Sequence, residues 1–279
     1  VLLSETANIP RSQREKITEI CMESFDCHSL ALSPQCILDA TCTGYNTVVT
    51  LNCGYNRAEI TPIIDRVPGR TEILQVGGRH MDDIARNILR EGNVDVRSMK
   101  YESENIKYVK EKLSQVSVAS SMDCGNEVNE QVSYKLPDGQ ILEMKKNNCY
   151  RCAEVLFQPK LLELNQQGVA DMVAKVLLEA DVAITHVAVG GGASVFTGFI
   201  ERLQKELTPL VPGVNVISAG GTELRKYSAC IGGSILTDLS LFKDIRVTKS
   251  EYKESGASII HHKSFPWESE ALKVKSARN

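Results

Sequence analysis

A run of three glycines, Gly190-Gly191-Gly192, is the feature of this sequence with the clearest chemical use. It follows a short apolar stretch, residues 184–189, with the composition of a buried strand, and we expect a helix to begin near Ser194. Glycines at such a junction let the backbone approach a ligand, and the free N–H groups of a helix start bind anions. The junction predicts an anion site, although on its own it is a weak signal.

Cys149 and Cys152 have the CxxC spacing of a zinc ligand pair. Neither a second cysteine pair nor a nearby histidine completes a ligand set, because His261 and His262 lie far along the chain. The nine cysteines fall mostly within apolar periodic segments, which is typical of reduced thiols in a core. We therefore predict no metal site and a reducing compartment.

The elements that must position these residues follow from hydrophobic periodicity. Ser12 and Glu15 have the spacing of a capping box, and apolar residues at helical spacing follow over residues 17–25. Apolar runs at 47–51 and 60–64 flank a polar turn, which predicts a β-hairpin. The hairpin would present its turn as a second candidate ligand loop.

Helical periods recur further along the chain, at 81–89, 106–113 and 169–180. Residues 114–130 are polar, which predicts an exposed loop. Alternation of strand and helix patterns indicates an α/β architecture.

The composition limits the class of ligand. The 279 residues are 42% hydrophobic and 24% charged, as in an ordinary globular protein large enough to bury a substantial core. A net charge of −3 provides no basic surface for direct binding of nucleic acid. No apolar run approaches the roughly 18 residues of a membrane span, so we expect no membrane contact.

Seven segments together resemble the actin family. In chain order they are 1–5 (Val-Leu-Leu-Ser-Glu), 110–113 (Lys-Glu-Lys-Leu), 134–140 (Tyr-Lys-Leu-Pro-Asp-Gly-Gln), 156–159 (Leu-Phe-Gln-Pro), 190–192, 225–228 (Arg-Lys-Tyr-Ser) and 231–236 (Ile-Gly-Gly-Ser-Ile-Leu). The resemblance covers nearly the whole chain up to Phe265. It implies an α/β, actin-like fold with two lobes, of the type that actin shares with chaperone ATPases and sugar kinases.

The resemblance also implies a division of the chain. The expected units are an outer lobe (1–42 and 228–265), a subdomain 3-like unit (43–76 and 165–227), a subdomain 4-like unit (77–164) and a mobile tail (266–279). Full-length relatives carry a front section with the first phosphate loop and a small lobe. We expect this section to be missing, in either a fragment of a longer protein or a truncated family member.

Actin-like proteins hold ATP between their lobes, and their second phosphate turn reads Asp-Ser-Gly-Asp-Gly. Here the matching residues 52–56 read Asn-Cys-Gly-Tyr-Asn, so both carboxylates are absent and Tyr55 brings a ring where a phosphate would approach. Mg²⁺ requires hard oxygen ligands, and its charge contributes several kcal/mol to phosphoryl transfer. We therefore predict little or no hydrolysis, no bound Mg²⁺, and ATP or ADP as a weak ligand at most.

Other positions match family residues that contact the nucleotide. Gln35 matches the glutamine that positions the attacking water, although it is equally an ordinary helix-start residue. The cofactor-binding candidates that the resemblance implies are Gly54, Gly78, Lys107, Lys110, Glu111, Gly191, Gly192, Ala193, Val195, Phe196 and Lys226. A Lys-Glu-Lys run on a helix is more often solvated surface, and Phe196 could equally belong to the core.

The family also has a hydrophobic cleft that many partners use. By resemblance it would be bordered by Thr41, Cys42, Ile231, Ile235, Leu236 and Leu239. Apolar residues at helical spacing are as well explained by a buried core. Gly232 and Gly233 weaken the same helix, and close packing is the simplest reason for them.

Three functions are compatible with these residues. The first is a structural or scaffold protein of the cytoskeleton or of a multi-subunit complex, with actin or other actin-fold proteins as partners and a cytoplasmic or nuclear location. The second is an ATP-binding, filament-forming actin-type subunit. The third, a dinucleotide oxidoreductase, is disfavoured because its fingerprint requires glycine where Val195 stands. Without the small lobe, we expect no long conventional filament.

Overall fold

The computed structural model describes residues 1–6, 9–92, 102–118, 130–136, 139–221 and 224–264. Its strands are β1 (Leu2–Glu5), β2 (Ser29–Pro34), β3 (Val48–Cys53), β4 (Ala58–Ile64), β5 (Val67–Pro68), β6 (Glu72–Leu74), β7 (Gln131–Lys135), β8 (Ile141–Lys145), β9 (His186–Gly190), β10 (Asn215–Ser218) and β11 (Val247–Thr248). The predicted tail at 266–279 and most of the predicted loop at 114–130 lie outside the described residues.

The α-helices occupy most of the remaining described chain. They are α1 (Arg11–Glu19), α2 (Gln35–Thr43), α3 (Gly78–Glu91), α4 (Glu102–Tyr108), α5 (Asn148–Phe157), α6 (Val169–Glu179), α7 (Phe199–Leu210), α8 (Ser228–Asp238), α9 (Phe242–Ile245), α10 (Lys249–Ser255) and α11 (Ile260–Lys263). Both α1 and α4 continue into a π-helical turn, at Ile20–Ser24 and Val109–Leu113. The predicted α/β class and the helices at 81–89 and 169–180 are confirmed.

The central sheet has the strand order β10-β9-β3-β4-β5, and β6 also pairs with β4. Strands β10, β9 and β3 are parallel, whereas β3 and β4 form an antiparallel pair, which confirms the predicted hairpin. Because β3 and β9 run in the same direction, both end at the same edge of the sheet, with Asn52 beside Gly190. The two candidate ligand loops therefore start next to each other.

Strand alternation decides which side chains of the central sheet face which layer. In β3, Val49, Leu51 and Cys53 enter the main core, which α3, α5, α6 and α7 help to build. Val48 instead packs in a smaller cluster with apolar residues of α2. Asn52 is an even-numbered residue of β3, like Val48, so it lies on the same α2 face of the strand and is directed away from the main core.

A second sheet, with the order β1-β2-β11, brings together strands from both ends of the described chain. Helices α2 and α8 pack beside this sheet and against each other. The two helices are so close that a Cβ on Gly232 of α8 would overlap the Leu38 carbonyl of α2, which explains this glycine in a helix. We call this sheet, α1, α2 and α8–α11 the outer lobe. Polar contacts reinforce it, since Tyr252 donates to Glu23 at 2.6 Å and His261 contacts Glu15 at 2.9 Å.

Two predicted helix starts are wrong. Helix α1 begins at Arg11 after Pro10, whose fixed φ of −60° suits the position before a helix, so Ser12 lies inside the first turn. The helix expected near Ser194 begins at Phe199. The Ser194 hydroxyl donates to the Gly190 and Gly191 carbonyls, and Gly198 adopts φ 86°, so the chain turns before α7.

Candidate functional site

The glycine junction packs directly against the turn that follows β3. Gly191 has φ 89°, and a Cβ there would overlap the backbone of Cys53, so no other residue fits without strain. Its N–H donates to the Arg225 carbonyl at 3.1 Å. The groups that lie close to Gly191 are therefore the protein's own backbone atoms, at Cys53 and Arg225.

The turn at residues 54–57 is closed by a hydrogen bond from the Gly54 N–H to the Arg57 carbonyl, at 3.0 Å. Its own carbonyls face the N-terminus of α3, where Gly54 accepts from Gly78 at 3.1 Å and Tyr55 accepts from Arg79 at 2.8 Å. Free N–H groups at a helix start are what binds a phosphate. At α3 the turn carbonyls occupy these two donors.

The amide nitrogen of Asn52 is directed into the outer lobe. Its Nδ2 donates to Asp39 Oδ2 at 2.7 Å, and Ser228 Oγ donates to Asp39 Oδ1 at 2.6 Å. Burial raises the pKa of Asp39 to about 6, although both hydrogen bonds act to lower it. Burial likewise raises the pKa of the neighbouring Cys53 thiol to about 12. The Cys53 thiol is fully buried, and the Asn52 amide nitrogen is engaged with Asp39.

An open pocket of about 430 Å³ lies beside this turn, between α3 and the α4 segment. It is lined by Tyr55, Arg79, Asp82, Asp83, Arg86, Ser103, Ile106, Lys107, Lys110 and Glu111. Several of its charges are already paired. Lys110 contacts Asp82 at 2.6 Å, and Arg86 contacts Asp83 at 2.7 Å.

Tyr55 stands at the mouth of the pocket. Its ring is exposed, and the Lys110 ammonium lies 5.8 Å from the ring centroid, within reach of a cation–π contact. Tyr55 and Asp82 therefore both hold the ammonium that would otherwise face an incoming anion.

A family model described as Actin matches residues 1–265. The chain belongs to the actin family. This confirms the resemblance found in the sequence, and the α/β architecture with several sheets fits the actin-like fold. The actin-family match ends at the residue where the segment resemblance also ends.

The structure brings some of the nucleotide-site residues expected of an actin-family protein together. Lys107, Lys110 and Glu111 line the pocket, and Gly54 and Gly78 contact each other through their backbones next to Tyr55. Lys110 and Glu111 lie in the π-helical turn after α4 and not in a regular α-helix.

The other predicted residues lie at the glycine junction and outside the pocket lining. Ala193 and Phe196 are buried in the main core, Val195 is half-buried, and Gly192 and Lys226 are exposed. The Lys226 ammonium lies 4.9 Å from the ring of its neighbour Tyr227. Gln35 is the first residue of α2 and is half-buried, one helical turn before Asp39.

The residues predicted for the partner cleft differ in accessibility. Ile235 and Leu239 are exposed, whereas Thr41, Cys42 and Ile231 are half-buried. Leu236 is buried against Ala31, Leu38 and Ile245, so it serves the core of the outer lobe. The partner cleft itself stays a prediction, and Ile235 and Leu239 are its most accessible members.

Two sets of charged residues at the site were not predicted from the sequence. Arg79, Asp82, Asp83 and Arg86 lie on one face of α3, and their spacing of three and four residues could have indicated a charged pocket wall. Asp39 is an isolated acid in the otherwise apolar run of α2, which is a signal of a buried polar contact.

The residues present fit the two parts of an adenine nucleotide unequally. The pocket offers the charged groups Lys107 and Glu111 to a ribose or base. The turn offers no carboxylate, and among the described residues no group of three or more His, Cys, Asp and Glu side chains could hold a metal ion. No helix of the described chain is long and apolar enough to cross a membrane.

Proposed function

We propose that this actin-family protein acts as a scaffold whose nucleotide cleft hydrolyses ATP slowly or not at all. The observation that carries the proposal is the direction of the turn after β3. Asn52 donates into the outer lobe, the Gly54 and Tyr55 carbonyls bind α3, and Tyr55 covers Lys110. The Asn52 amide nitrogen, the turn carbonyls and the first N–H groups of α3 are therefore engaged within the protein.

The electrostatics of the pocket support the same role. Its lining carries four cationic and three carboxylate side chains, and the cations Lys110 and Arg86 are paired with Asp82 and Asp83. Four cations against three carboxylates leave the lining with a net charge of only +1, so it attracts a triphosphate weakly in the absence of a metal ion. Weak binding of ATP or ADP is the most that this arrangement favours.

Actin or other actin-fold proteins, within a cytoskeletal or multi-subunit complex, are the partners of the proposed scaffold. The exposed Ile235 and Leu239, with half-buried Ile231, offer an apolar contact on α8. The role involves no direct contact with nucleic acid or a membrane. It places the protein in the cytoplasm with the cytoskeleton, or alternatively in the nucleus.

The second candidate function is an ATP-binding, filament-forming subunit. The observation that favours it is the pocket wall, where Lys107, Lys110 and Glu111 stand together as in the family pattern. In that case the turn would have to rearrange when nucleotide binds, releasing the Gly78 and Arg79 N–H groups.

Sedimentation under polymerising salt separates the two functions. A scaffold stays in the supernatant when alone and enters the pellet only with conventional actin or another actin-fold partner. An ordered, ATP-dependent filament formed by the protein alone would contradict the scaffold role. Ile235→Ser is the matched variant for the apolar contact, since this exposed side chain can be changed without opening the core.

A further inference from the structure

The chain passes twice between the outer lobe and the central sheet, and a single carboxyl group joins both passages. The first passage runs from α2 into β3, and the second runs from residues 225–227 into α8. Asp39 lies on α2, Asn52 at the end of β3, and Ser228 is the first residue of α8. Both partners donate to Asp39, at 2.7 Å and 2.6 Å.

The network is almost closed to solvent, and Asn52 is its most exposed member at 8%. Asp39 has no exposed surface, and Ser228 has almost none. Gly190 seals it on the β9 side, because a Cβ there would lie 2.6 Å from Ser228 Oγ and 3.3 Å from Asp39 Oδ1. An ionised carboxylate here has two hydrogen bonds and no exposed surface, and burial of a charge is unfavourable unless a countercharge compensates it.

No countercharge faces this carboxylate in the described part of the chain. On β4, Glu59 is the cross-strand neighbour of Asn52 and adds a like charge, while Arg57 is paired with Glu59 at 2.6 Å. On α2, the buried Cys36 and half-buried Cys42 are thiols whose pKa burial raises, so they stay neutral. On α8 and β9, the residues that face Asp39 are Ser228 and Gly190, and neither carries a charge.

We propose that Asp39, Asn52 and Ser228 form a proton-sensitive latch between the outer lobe and the central sheet. With a proton on Asp39, the carboxylic acid donates to Ser228 Oγ and still accepts from Asn52, and no buried charge remains. When that proton leaves, the carboxylate gains solvation only by opening the seam between α2, β3 and α8. The latch stands apart from the proposed scaffold role, because it requires no nucleotide and no partner.

The direction of the pH effect follows from the native environment. The pKa of Asp39 is raised from 3.8 to about 6, so the closed state binds the proton more tightly than the open state does. The closed latch is therefore favoured at low pH, and it loosens as the pH rises through that window. Because Asn52 begins the turn that contacts α3, opening also frees the mouth of the pocket.

Hydrogen exchange of the full chain, followed by mass spectrometry and corrected for the intrinsic pH dependence of amide exchange, tests the latch. Linkage predicts that the opening constant for peptides covering residues 35–53 and 228–236 rises about tenfold between about pH 5 and about pH 7.5. Peptides from α6, on the opposite face of the sheet, should show no such rise.

Asp39→Asn is the matched variant, because it keeps the size and an acceptor atom but has no proton to lose. The latch predicts a flat pH profile in this variant. Pronounced pH dependence that survives in Asp39→Asn, or its absence in the wild type, would overturn the proposal.

Ser228→Ala provides a second variant should Asp39→Asn fail to fold. It removes a hydrogen bond that stabilises the ionised carboxylate, so the midpoint of the pH profile must move upward. An unchanged midpoint refutes the latch. Titration of the Asp39 carboxyl carbon by NMR supplies an independent measurement. The latch predicts a titration midpoint near 6, and a midpoint near 3.8 would exclude the latch.

Discussion

The two walls of the cleft use their polar groups in opposite ways. On the turn wall, formed by residues 52–57 and 190–192, the backbones touch, the Gly54 and Tyr55 carbonyls accept from α3, and the Asn52 amide donates into the outer lobe. On the helix wall, formed by α3 and the segment 102–113, charged side chains stand at the surface and pair with one another across an open pocket.

The two walls therefore differ in how accessible their polar groups are. Inward contacts on the turn wall hold the two lobes and the start of α3 in place, so this wall contributes to folding. The helix wall retains exposed charges, Lys107 and Glu111 among them, that a small polar ligand could reach. Substitutions on the turn wall should therefore affect stability far more than matched substitutions on the helix wall.

The largest effect is expected for Gly191→Ala. The new Cβ would overlap the Cys53 backbone at a positive φ, and strain plus overlap together should lower the free energy of unfolding by about 4 kcal/mol. Urea unfolding followed by circular dichroism measures it. Gly192→Ala is the control, with open space around its Cβ and an expected change within about 1 kcal/mol. Equal losses in both variants would show that the turn wall is not close-packed.

Asn52→Asp should have the next largest effect. It restores a family carboxylate to the turn but places it against Asp39, and two buried carboxyl groups at that distance cannot both ionise. We expect a loss of about 3 kcal/mol near pH 7.5 and a smaller loss near pH 5, where one proton is readily held.

A double variant completes this experiment. Asp39→Asn combined with Asn52→Asp returns one carboxylate and one amide to the pair, so stability should recover to within about 1 kcal/mol of the wild type. Unfolding curves of the four proteins give the coupling free energy. Additive losses in the double variant would mean that Asp39 and Asn52 do not interact.

The sequence was sufficient for the β3–β4 hairpin and for α3 and α6, but not for the Asp39–Asn52 pair. Periodicity within β3, β4, α3 and α6 is local, so the hairpin and both helices could be predicted. The Asp39–Ser228 contact joins residues 189 positions apart, and no pattern in a single sequence pairs them. Strand alternation in β3 does place Asn52 on the α2 face, which indicates contact with that helix but not with which residue.

The order of elements at the glycine junction was partly predicted, but its local hydrogen bonds were not. A strand followed by glycines was correct, yet the expected helix start failed because Ser194 hydrogen-bonds back to the strand end and Gly198 turns the chain. Such side-chain contacts compete with helix formation over a few residues. The availability of helix N–H groups to an anion therefore could not be judged from the glycine run.

The smallest effect on stability is expected for Lys110→Met on the helix wall. It removes a partly buried ion pair with Asp82 and the contact with Tyr55, which should lower the free energy of unfolding by about 1 kcal/mol. Lys107→Met is the control, since Lys107 is exposed, and a change below about 0.5 kcal/mol is expected. Losses on this wall as large as that of Gly191→Ala would remove the contrast between the walls.

Release of phosphate from ATP with and without Mg²⁺ tests the central claim most directly. The claim is that the turn wall serves the fold and cannot organise a metal-bound triphosphate. We expect no Mg²⁺-dependent release above that of the Lys110→Met variant prepared in the same way. Mg²⁺-dependent turnover in the wild type at the rate of conventional actin, lost in Lys110→Met, would contradict it.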